Sequence, residues 1–270
     1  MDDDTGAPDS PDDTGAADAP EEMMDVPTRP ALLTDAEWLE AWAARPVLRG
    51  WLHASAVPIV AGTTGYLVTR AQRRDVRIAV GVYAAGVTTM LTVSAAYHRL
   101  SRTRRQAEVM RKADHAAIYG AVAGTMTPFA VVALPPPLST AALALTWGAA
   151  AVGAGAKVAL LREDRSVGSW GYITLGWLGG GMIIPIIRKT GWVTAAEIAA
   201  GGVAYTIGAD LFRRKWPGRH ARVFGYHEVW HAFVLTGVGF HLDAVRRAVA
   251  SAAPPAPAAP RRFGRGRRRR

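Results

Sequence analysis

The sequence has no cysteine among its 270 residues, so disulfide bonds are excluded and cysteine usage does not indicate a redox compartment. A basic n-region is also missing at the start, because residues 1–28 carry ten acidic side chains and no basic one. This composition argues against a secretory signal peptide, and insertion into a membrane would then depend on the first apolar span. Residues 1–30 have little apolar surface to bury and predict a disordered acidic tail.

Half of all residues in the full sequence are hydrophobic, and apolar runs close to the length of a membrane span recur along the chain after the acidic tail. Short arginine-rich or proline-rich connections separate them. The pattern predicts an all-α integral membrane protein whose seven-transmembrane helix bundle occupies residues 50–249. The predicted spans are 51–69, 78–97, 115–134, 138–161, 170–187, 193–212 and 229–249.

The basic residues between these spans predict the orientation of the bundle. Connections on the amino-terminal side hold fifteen basic residues, and those on the opposite side hold six. By the positive-inside rule the amino terminus is cytoplasmic, in a multi-pass protein of the plasma membrane. Seven spans then place residues 250–270 outside, and this segment is predicted to be a disordered arginine-rich tail that binds anionic lipid or polymer. Because the other arginines cluster at the ends of apolar segments, no nucleic acid is expected to bind the core.

A short helix is predicted just before the first span. Thr34 and Glu37 have the spacing of a capping box, and Trp38, Leu39 and Trp42 follow on one side of the helix. We expect residues 31–49 to form an amphipathic interfacial helix with tryptophans at headgroup depth. The alternative is an ordinary loop helix.

The last predicted span opens with His-Glu-x-x-His at residues 227–231. Histidines four residues apart lie about 40° apart around a helix, so both imidazoles can converge on one metal ion. In soluble metalloproteases this motif supplies two zinc ligands and a glutamate base. An intramembrane protease is disfavoured here, because no later span offers a further ligand. Glu228 has two interpretations, a catalytic base or a partner for a nearby arginine.

Polar side chains gather at one predicted depth, where span two ends and spans three and seven begin. His98, His227 and His231 would supply a tetrahedral zinc site and leave its fourth position open for water. Asp114 would orient that water or accept its proton, and Ser94 would donate a supporting hydrogen bond. Two alternatives stay open: His98 reaching toward the headgroups, and Asp114 as a carboxylate favoured by a helix N-terminus.

The other histidines carry weaker predictions. His241 lies ten residues beyond His231, about 15 Å along the helix, so it cannot share the same ion. It is predicted to be an interior histidine with satisfied hydrogen bonds. His53, His115 and His220 are interpreted as interfacial or loop residues, and no role is predicted for them.

Three motifs together resemble the haemolysin III family, the bacterial branch of the progestin and adipoQ receptor (PAQR) superfamily. They are Ser-x-x-Tyr-His at 94–98, Asp-His-x-x-Ile at 114–118 continuing to Ala-Gly-Thr-Met-Thr-Pro at 123–128, and His-Glu-x-Trp-His-x-Phe-Val at 227–234. The resemblance covers residues 50–248 in the same order.

This resemblance implies a seven-helix bundle with a cytoplasmic amino terminus and a zinc ion near the cytoplasmic face. The implied ligands are His98, His227 and His231, with Ser94 and Asp114 close to the metal-bound water. Eukaryotic receptors of the superfamily are similar to ceramidases and are linked to hydrolysis of lipid amides. Bacterial members are associated with membrane homeostasis, and the family name reflects a haemolytic phenotype.

This chain departs from the family pattern at Met126, where an aromatic residue is more frequent, and in its two charged tails. The leading hypothesis is a zinc-dependent hydrolase that cleaves the amide or ester bond of a membrane lipid. The alternative is a sensor or regulator of membrane state in which zinc is structural. Pore formation is disfavoured, because the sequence has neither amphipathic hairpins nor a polar stripe suited to a lumen.

Overall fold

The computed structural model of the chain describes residues 33–160, 170–218 and 221–253. Within these ranges the fold is all-helical, without a strand. The helices are α1 (Asp35–Ala43), α2 (Trp51–Arg70), α3 (Arg74–Leu100), α4 (Arg104–Ala133), α5 (Pro136–Leu160), α6 (Trp170–Leu178), α7 (Ile183–Thr190), α8 (Trp192–Arg213) and α9 (Tyr226–Ser251). A 3₁₀ turn over Gly179–Met182 separates α6 from α7.

Every predicted span coincides with helical structure, and the prediction of an all-α membrane protein is confirmed. Four stretches are long and apolar enough to cross a membrane, namely α3, α4, α5 and the α6–α7 stretch Trp170–Thr190. Helices α2, α8 and α9 do not meet the same standard of apolarity. The count of seven spans and the orientation of the amino terminus therefore stay predictions. The predicted tail over 1–30 and the arginine-rich part of 250–270 lie outside the described residues.

The fifth predicted span is interrupted rather than continuous. Three successive glycines, Gly179 to Gly181, fall in the 3₁₀ turn between α6 and α7. Glycine is a poor helix former, because its backbone loses more conformational freedom on folding than that of any other residue. The Met126 methyl group of α4 lies against Gly179, where an added Cβ would be 2.6 Å away. Met126 thus packs against a surface that lacks side chains.

Helices α3 and α4 approach each other closely over two glycines. A Cβ added to Gly86 would lie 2.9 Å from the Gly120 carbonyl oxygen, and one added to Gly124 would lie 3.2 Å from that of Val82. Small residues at a helix crossing allow the backbones to come together inside a bilayer. This crossing fixes α3 against α4 and thereby brings the side chains of Ser94 and Asp114 to the same interface.

Helix α5 lies on the outside of the bundle and packs on α4 and α6. Its apolar side chains point away from the protein, and Leu145 and Val152 are each 74% exposed. The principal apolar core lies instead among α2, α3, α4, α8 and α9. A membrane protein is expected to present such apolar surface to lipid and to keep its polar side chains inside.

The predicted helix before the first span is present as α1, and its capping box is formed. The Thr34 hydroxyl accepts from the Glu37 backbone N–H at 3.3 Å, and the Glu37 carboxylate accepts from the Thr34 backbone N–H at 2.8 Å. The sequence predicts that the two tryptophans lie at headgroup depth, but their side chains are turned into the protein. Trp38 and Trp42 are buried in the protein and pack with Tyr97 of α3, because their side of α1 rests on α3 and α4.

Candidate metal centre

Three histidine side chains meet between α3 and α9. His98 lies in the last turn of α3, and His227 and His231 lie in the first two turns of α9. One ring nitrogen from each side chain lies within 4.8 Å of the other two, and all three residues are buried. The structure therefore brings together the three residues that the sequence selects as metal ligands.

The arrangement of the rings fits a metal ion. Nε2 of His98 and Nε2 of His227 are 3.2 Å apart, close to the separation of about 3.3 Å between two nitrogen ligands of a tetrahedral zinc ion. The buried Nδ1 atoms of His98 and His231 have no hydrogen-bond partner among the described residues. The nitrogens that face each other are Nε2 of His98 and Nε2 of His227, so an ion held there would bind through those atoms and leave Nδ1 to face the surrounding protein. Three neutral imidazoles are also a ligand set that zinc favours.

Ser94 and Asp114 lie beside this cluster, on α3 and α4 respectively. Ser94 is buried, Asp114 is partly buried, and the Ser94 hydroxyl interacts with the Asp114 carboxyl group. Ser94 precedes His98 by one helical turn, so both side chains lie on the same face of α3. The structure therefore brings the Asp114 carboxyl group to the Ser94 hydroxyl, one helical turn before His98, and the catalytic roles of Ser94 and Asp114 remain predictions.

His53 belongs to the same cluster, and its interpretation as an interfacial residue was wrong. It lies in the first turn of α2 and is 2% exposed. Its ring stacks on that of His231 with 3.9 Å between centroids, and its Nδ1 is 2.9 Å from the Ser94 hydroxyl oxygen. The sequence contained a signal that could have identified His53. Predicted spans one, three and seven all begin at the same face of the membrane, so the start of span one lies at the same depth as the predicted metal ligands.

His115 is also buried rather than interfacial. It lies inside α4, where its Nδ1 is 2.9 Å from the Arg111 carbonyl oxygen one helical turn earlier. Its neighbour Asp114 interacts instead with the Ser94 hydroxyl. His220, the third histidine of this prediction, lies outside the described residues.

Glu228 is engaged in structural contacts. It is fully buried, and its Oε1 accepts from Nε of Arg49 at 2.5 Å. Its Oε2 accepts from the backbone N–H of Gly225 at 2.7 Å, which satisfies one donor at the start of α9. Of the two interpretations, the contacts agree with the arginine partner and not with a free protease base.

The segments that enter α2 and α9 are tied together beside this ion pair. The backbone N–H of Val47 donates to the Arg222 carbonyl at 3.0 Å, and that of Leu48 donates to the Val223 carbonyl at 3.2 Å. Both segments lead directly into helices that carry histidines of the cluster. The backbone contacts and the buried Arg49–Glu228 pair therefore hold the starts of α2 and α9 in one relative position.

Arginines and aromatic rings surround this end of the bundle. The Arg45 guanidinium lies 3.3 Å from the centre of the Trp42 ring, and that of Arg99 lies 4.0 Å from the centre of the Trp51 ring. Burial lowers the pKa of Arg45 to about 10, so its side chain stays charged at neutral pH. These cations are on the side that the positive-inside rule assigns to the cytoplasm.

His241 shows how an ordinary interior histidine looks in the same protein. Its Nε2 lies 3.2 Å from the Ile198 carbonyl oxygen, and its Nδ1 lies 3.5 Å from the Tyr205 hydroxyl. Both ring nitrogens face polar atoms of α8, as the sequence predicts. The molecule is thus a helical membrane protein with one buried cluster of histidines suited to a metal ion and a separate histidine that serves packing.

Comparison with known proteins agrees with this class. Residues 41–242 match the family described as haemolysin-III related. The chain is 31% identical to Hemolysin-3 of Bacillus cereus over 161 residues, which are 59% of this chain and 70% of that protein. It is 24% identical to the Hemolysin-3 homolog of Bacillus subtilis (strain 168) over 156 residues, which are 58% of this chain and 70% of that protein. The chain belongs to the haemolysin III family.

Proposed function

We propose that this protein is a zinc-dependent hydrolase that cleaves the amide or ester bond of a membrane lipid and thereby serves membrane lipid homeostasis. The observation that carries the proposal is the buried convergence of His98, His227 and His231, with the interacting pair Ser94 and Asp114 one helical turn before His98. A bound zinc ion would polarise a carbonyl group and bring the pKa of a water molecule to about 7. Similarity to ceramidases, implied by the wider PAQR superfamily, gives the proposed class of bond.

The chain's own residues have distinct proposed roles in this reaction. Asp114 would accept a proton at its carboxylate and later return it to the leaving group, as a general base and then a general acid. Ser94 would keep that carboxylate in place through its hydroxyl. The wall formed by α1, in which Trp38 and Trp42 are buried, would exclude water from this end of the bundle.

We place the site at the cytoplasmic face of a plasma-membrane protein with seven spans. The arginine distribution supports this orientation. The lipid's acyl chain would enter the bundle from the bilayer. The arginine-rich tail would bind anionic lipid or polymer, a role that rests on its composition alone.

A second function has an observation of its own in its favour. All three candidate ligands are buried, and they join α3 to α9. A metal ion that is closed off by protein can be structural. The protein would then act as a non-enzymatic sensor or regulator of membrane state, with zinc holding the helices in one arrangement.

The Asp114→Asn variant separates the two functions. Purified protein is reconstituted in lipid and supplied with labelled lipid amides and esters, and zinc content and release of the labelled acyl chain are measured together. If Asp114 is the proton acceptor, the variant keeps its zinc and loses about 100-fold or more in turnover. Glu108→Gln is the matched control, because Glu108 lies on the same helix and pairs with Lys112 at 3.2 Å near the surface.

Turnover that survives in Asp114→Asn would show that the catalytic assignment is wrong. Stoichiometric zinc without turnover of any lipid in the wild-type protein would favour the sensor. Equal loss in Glu108→Gln would mean that the assay reports damage to α4 rather than chemistry.

A further inference from the structure

His53 is the fourth histidine of the cluster and comes from a third helix. It stacks on His231 of α9 with ring centroids 3.9 Å apart and planes inclined by 15°, and its Nδ1 is 2.9 Å from the hydroxyl oxygen of Ser94 in α3. His53 therefore contacts one candidate metal ligand and one residue of the proposed catalytic pair. It is not itself among the three histidines whose nitrogens converge.

The hydrogen bond to Ser94 has a direction that follows from donor counting. Ser94 has one hydroxyl proton, and an ionised Asp114 carboxylate can only accept. With Asp114 ionised, Ser94 donates to the carboxylate and the Ser94 oxygen accepts from the Nδ1–H of His53. This assignment selects the tautomer of His53 that carries its proton on Nδ1.

The ring contact has a separate effect on His231. The terminal torsion of a histidine side chain is broad, so the plane of the ring must be fixed by its surroundings. Nδ1 of His231 is buried and has no hydrogen-bond partner among the described residues. The nearly parallel His53 ring lies against His231 and restricts rotation about that torsion.

We infer that His53 is a positioning residue of the metal centre: its Nδ1–H orients the Ser94 hydroxyl toward Asp114, and its ring sets the plane of His231. The inference rests on the proposed metal site. A packing histidine in this protein has the contacts of His241, whose nitrogens face a backbone carbonyl and a tyrosine of a neighbouring helix. His53 instead has both of its characterised contacts within the cluster.

The test compares zinc affinity in His53→Ala, His53→Phe and the control His241→Ala, with chelator competition on the detergent-purified protein. Removal of a group that orients a ligand costs about 10- to 100-fold in metal affinity. His53→Ala is expected to show that loss, and His53→Phe to recover part of it because an aromatic ring is retained. His241→Ala is expected to bind zinc like the wild type. The visible absorption of the cobalt-substituted protein should shift in His53→Ala and not in His241→Ala.

A double-mutant cycle tests the hydrogen bond independently of metal. Ser94→Ala and His53→Phe remove the same bond, so the shift in melting temperature of the double variant of the metal-free protein should be smaller than the sum of the two single shifts. Additive shifts would overturn the positioning of Ser94.

Three outcomes of the affinity measurements decide the rest. Unchanged zinc affinity in His53→Ala, with zinc bound by the wild type, overturns this inference and leaves the proposed function intact. An equal loss in His241→Ala also overturns it, because the effect would then be general to buried histidines. A wild-type protein that binds no stoichiometric zinc overturns both this inference and the proposed function. If His53→Ala does not fold, His53→Phe is compared with His241→Ala by the absorption of the cobalt-substituted protein, and the double-mutant cycle with Ser94→Ala tests the hydrogen bond.

Discussion

The first turns of α9 hold two histidines and a glutamate, and ten residues later the same helix carries another histidine followed by charged residues. At the first position His227 and His231 converge with His98, and the nearest nitrogens of His98 and His227 are 3.2 Å apart. Glu228 pairs there with Arg49 and is fully buried. Polar groups of this end therefore face one another in the interior.

Around the second position, His241 and Arg247 each have a hydrogen-bond or ion-pair partner in the neighbouring helix α8. His241 lies against the Ile198 carbonyl oxygen and the Tyr205 hydroxyl. Arg247 donates to Glu197 at 2.9 Å, and both side chains retain some exposure. The difference shows that residue type alone does not define a site. Histidines whose nitrogens converge on one point can hold an ion, whereas a histidine with its own partners stabilises packing.

The largest expected difference between the two ends is in bound metal. The wild-type protein, purified without chelators, should contain about one zinc ion per chain. The double variant His227→Ala/His231→Ala should lose this zinc, because one remaining imidazole cannot hold the ion. His241→Ala should keep it. Elemental analysis of the three proteins measures this directly, and zinc retained by the double variant would remove the basis for a metal centre.

The ion pairs of the two ends should differ in their effect on stability. Glu228→Gln leaves the buried guanidinium of Arg49 without its carboxylate, which costs about 3–5 kcal/mol. That corresponds to a fall of roughly 10 °C in melting temperature. Glu197→Gln breaks a partly exposed pair and should cost at most about 1 kcal/mol.

Thermal unfolding followed by circular dichroism measures both variants. Turnover per folded molecule should survive in Glu228→Gln, since this carboxylate is held by Arg49 and the Gly225 N–H. A stable but inactive Glu228→Gln protein would instead support the metalloprotease-like role of the glutamate.

Two glycines allow a sharper comparison, because each lies against one of the histidines. A Cβ at Gly50 would be 2.7 Å from Cβ of His98, and Gly50 has a φ of +78°, which other residues rarely adopt. A Cβ at Gly201 would be 2.5 Å from Nε2 of His241. Gly50→Ala and Gly201→Ala should each destabilise the protein by about 1–3 kcal/mol through overpacking.

Only Gly50→Ala should also weaken zinc binding, because it displaces a ligand. Zinc competition on the two variants, compared at equal folded fraction, tests this. Similar zinc affinity in both variants would indicate that the position of His98 is not critical to the centre.

Local patterns in the sequence were sufficient for much of the fold and for the three converging histidines. The apolar runs predicted the long helices, and the capping-box spacing of Thr34 and Glu37 predicted the start of α1. The four-residue spacing of His227 and His231 predicted two of the three converging histidines. Helices α2, α8 and α9 are not among the four stretches that are long and apolar enough to cross a membrane, so the count of seven spans stays a prediction.

What the sequence did not supply depends on contacts between distant segments. Glu228 and Arg49 are 179 residues apart, and no local pattern pairs them. His53 looked like an end-of-span residue until α2 was placed beside α3 and α9. Trp38 and Trp42 have the pattern of an interfacial helix, but their side chains are buried against Tyr97 and Ala107. Tertiary packing decided each of these cases.

The smallest expected effect concerns α1, which covers the metal-centre end through the contact between Trp42 and Tyr97, with ring centroids 5.7 Å apart. Hydrogen bonds from the backbone N–H and the hydroxyl of Thr34 lower the pKa of the Glu37 carboxyl group.

A carboxyl group with a lowered folded-state pKa stabilises the fold above its unfolded pKa of about 4.3, and that contribution disappears as pH falls through the folded-state pKa. The melting temperature of wild type minus that of Glu37→Gln should therefore be positive near pH 6 and shrink toward zero near pH 3. Thr34→Ala removes the hydroxyl bond and should reduce this pH dependence, whereas a difference that grows on acidification would show that the charge of Glu37 does not stabilise α1.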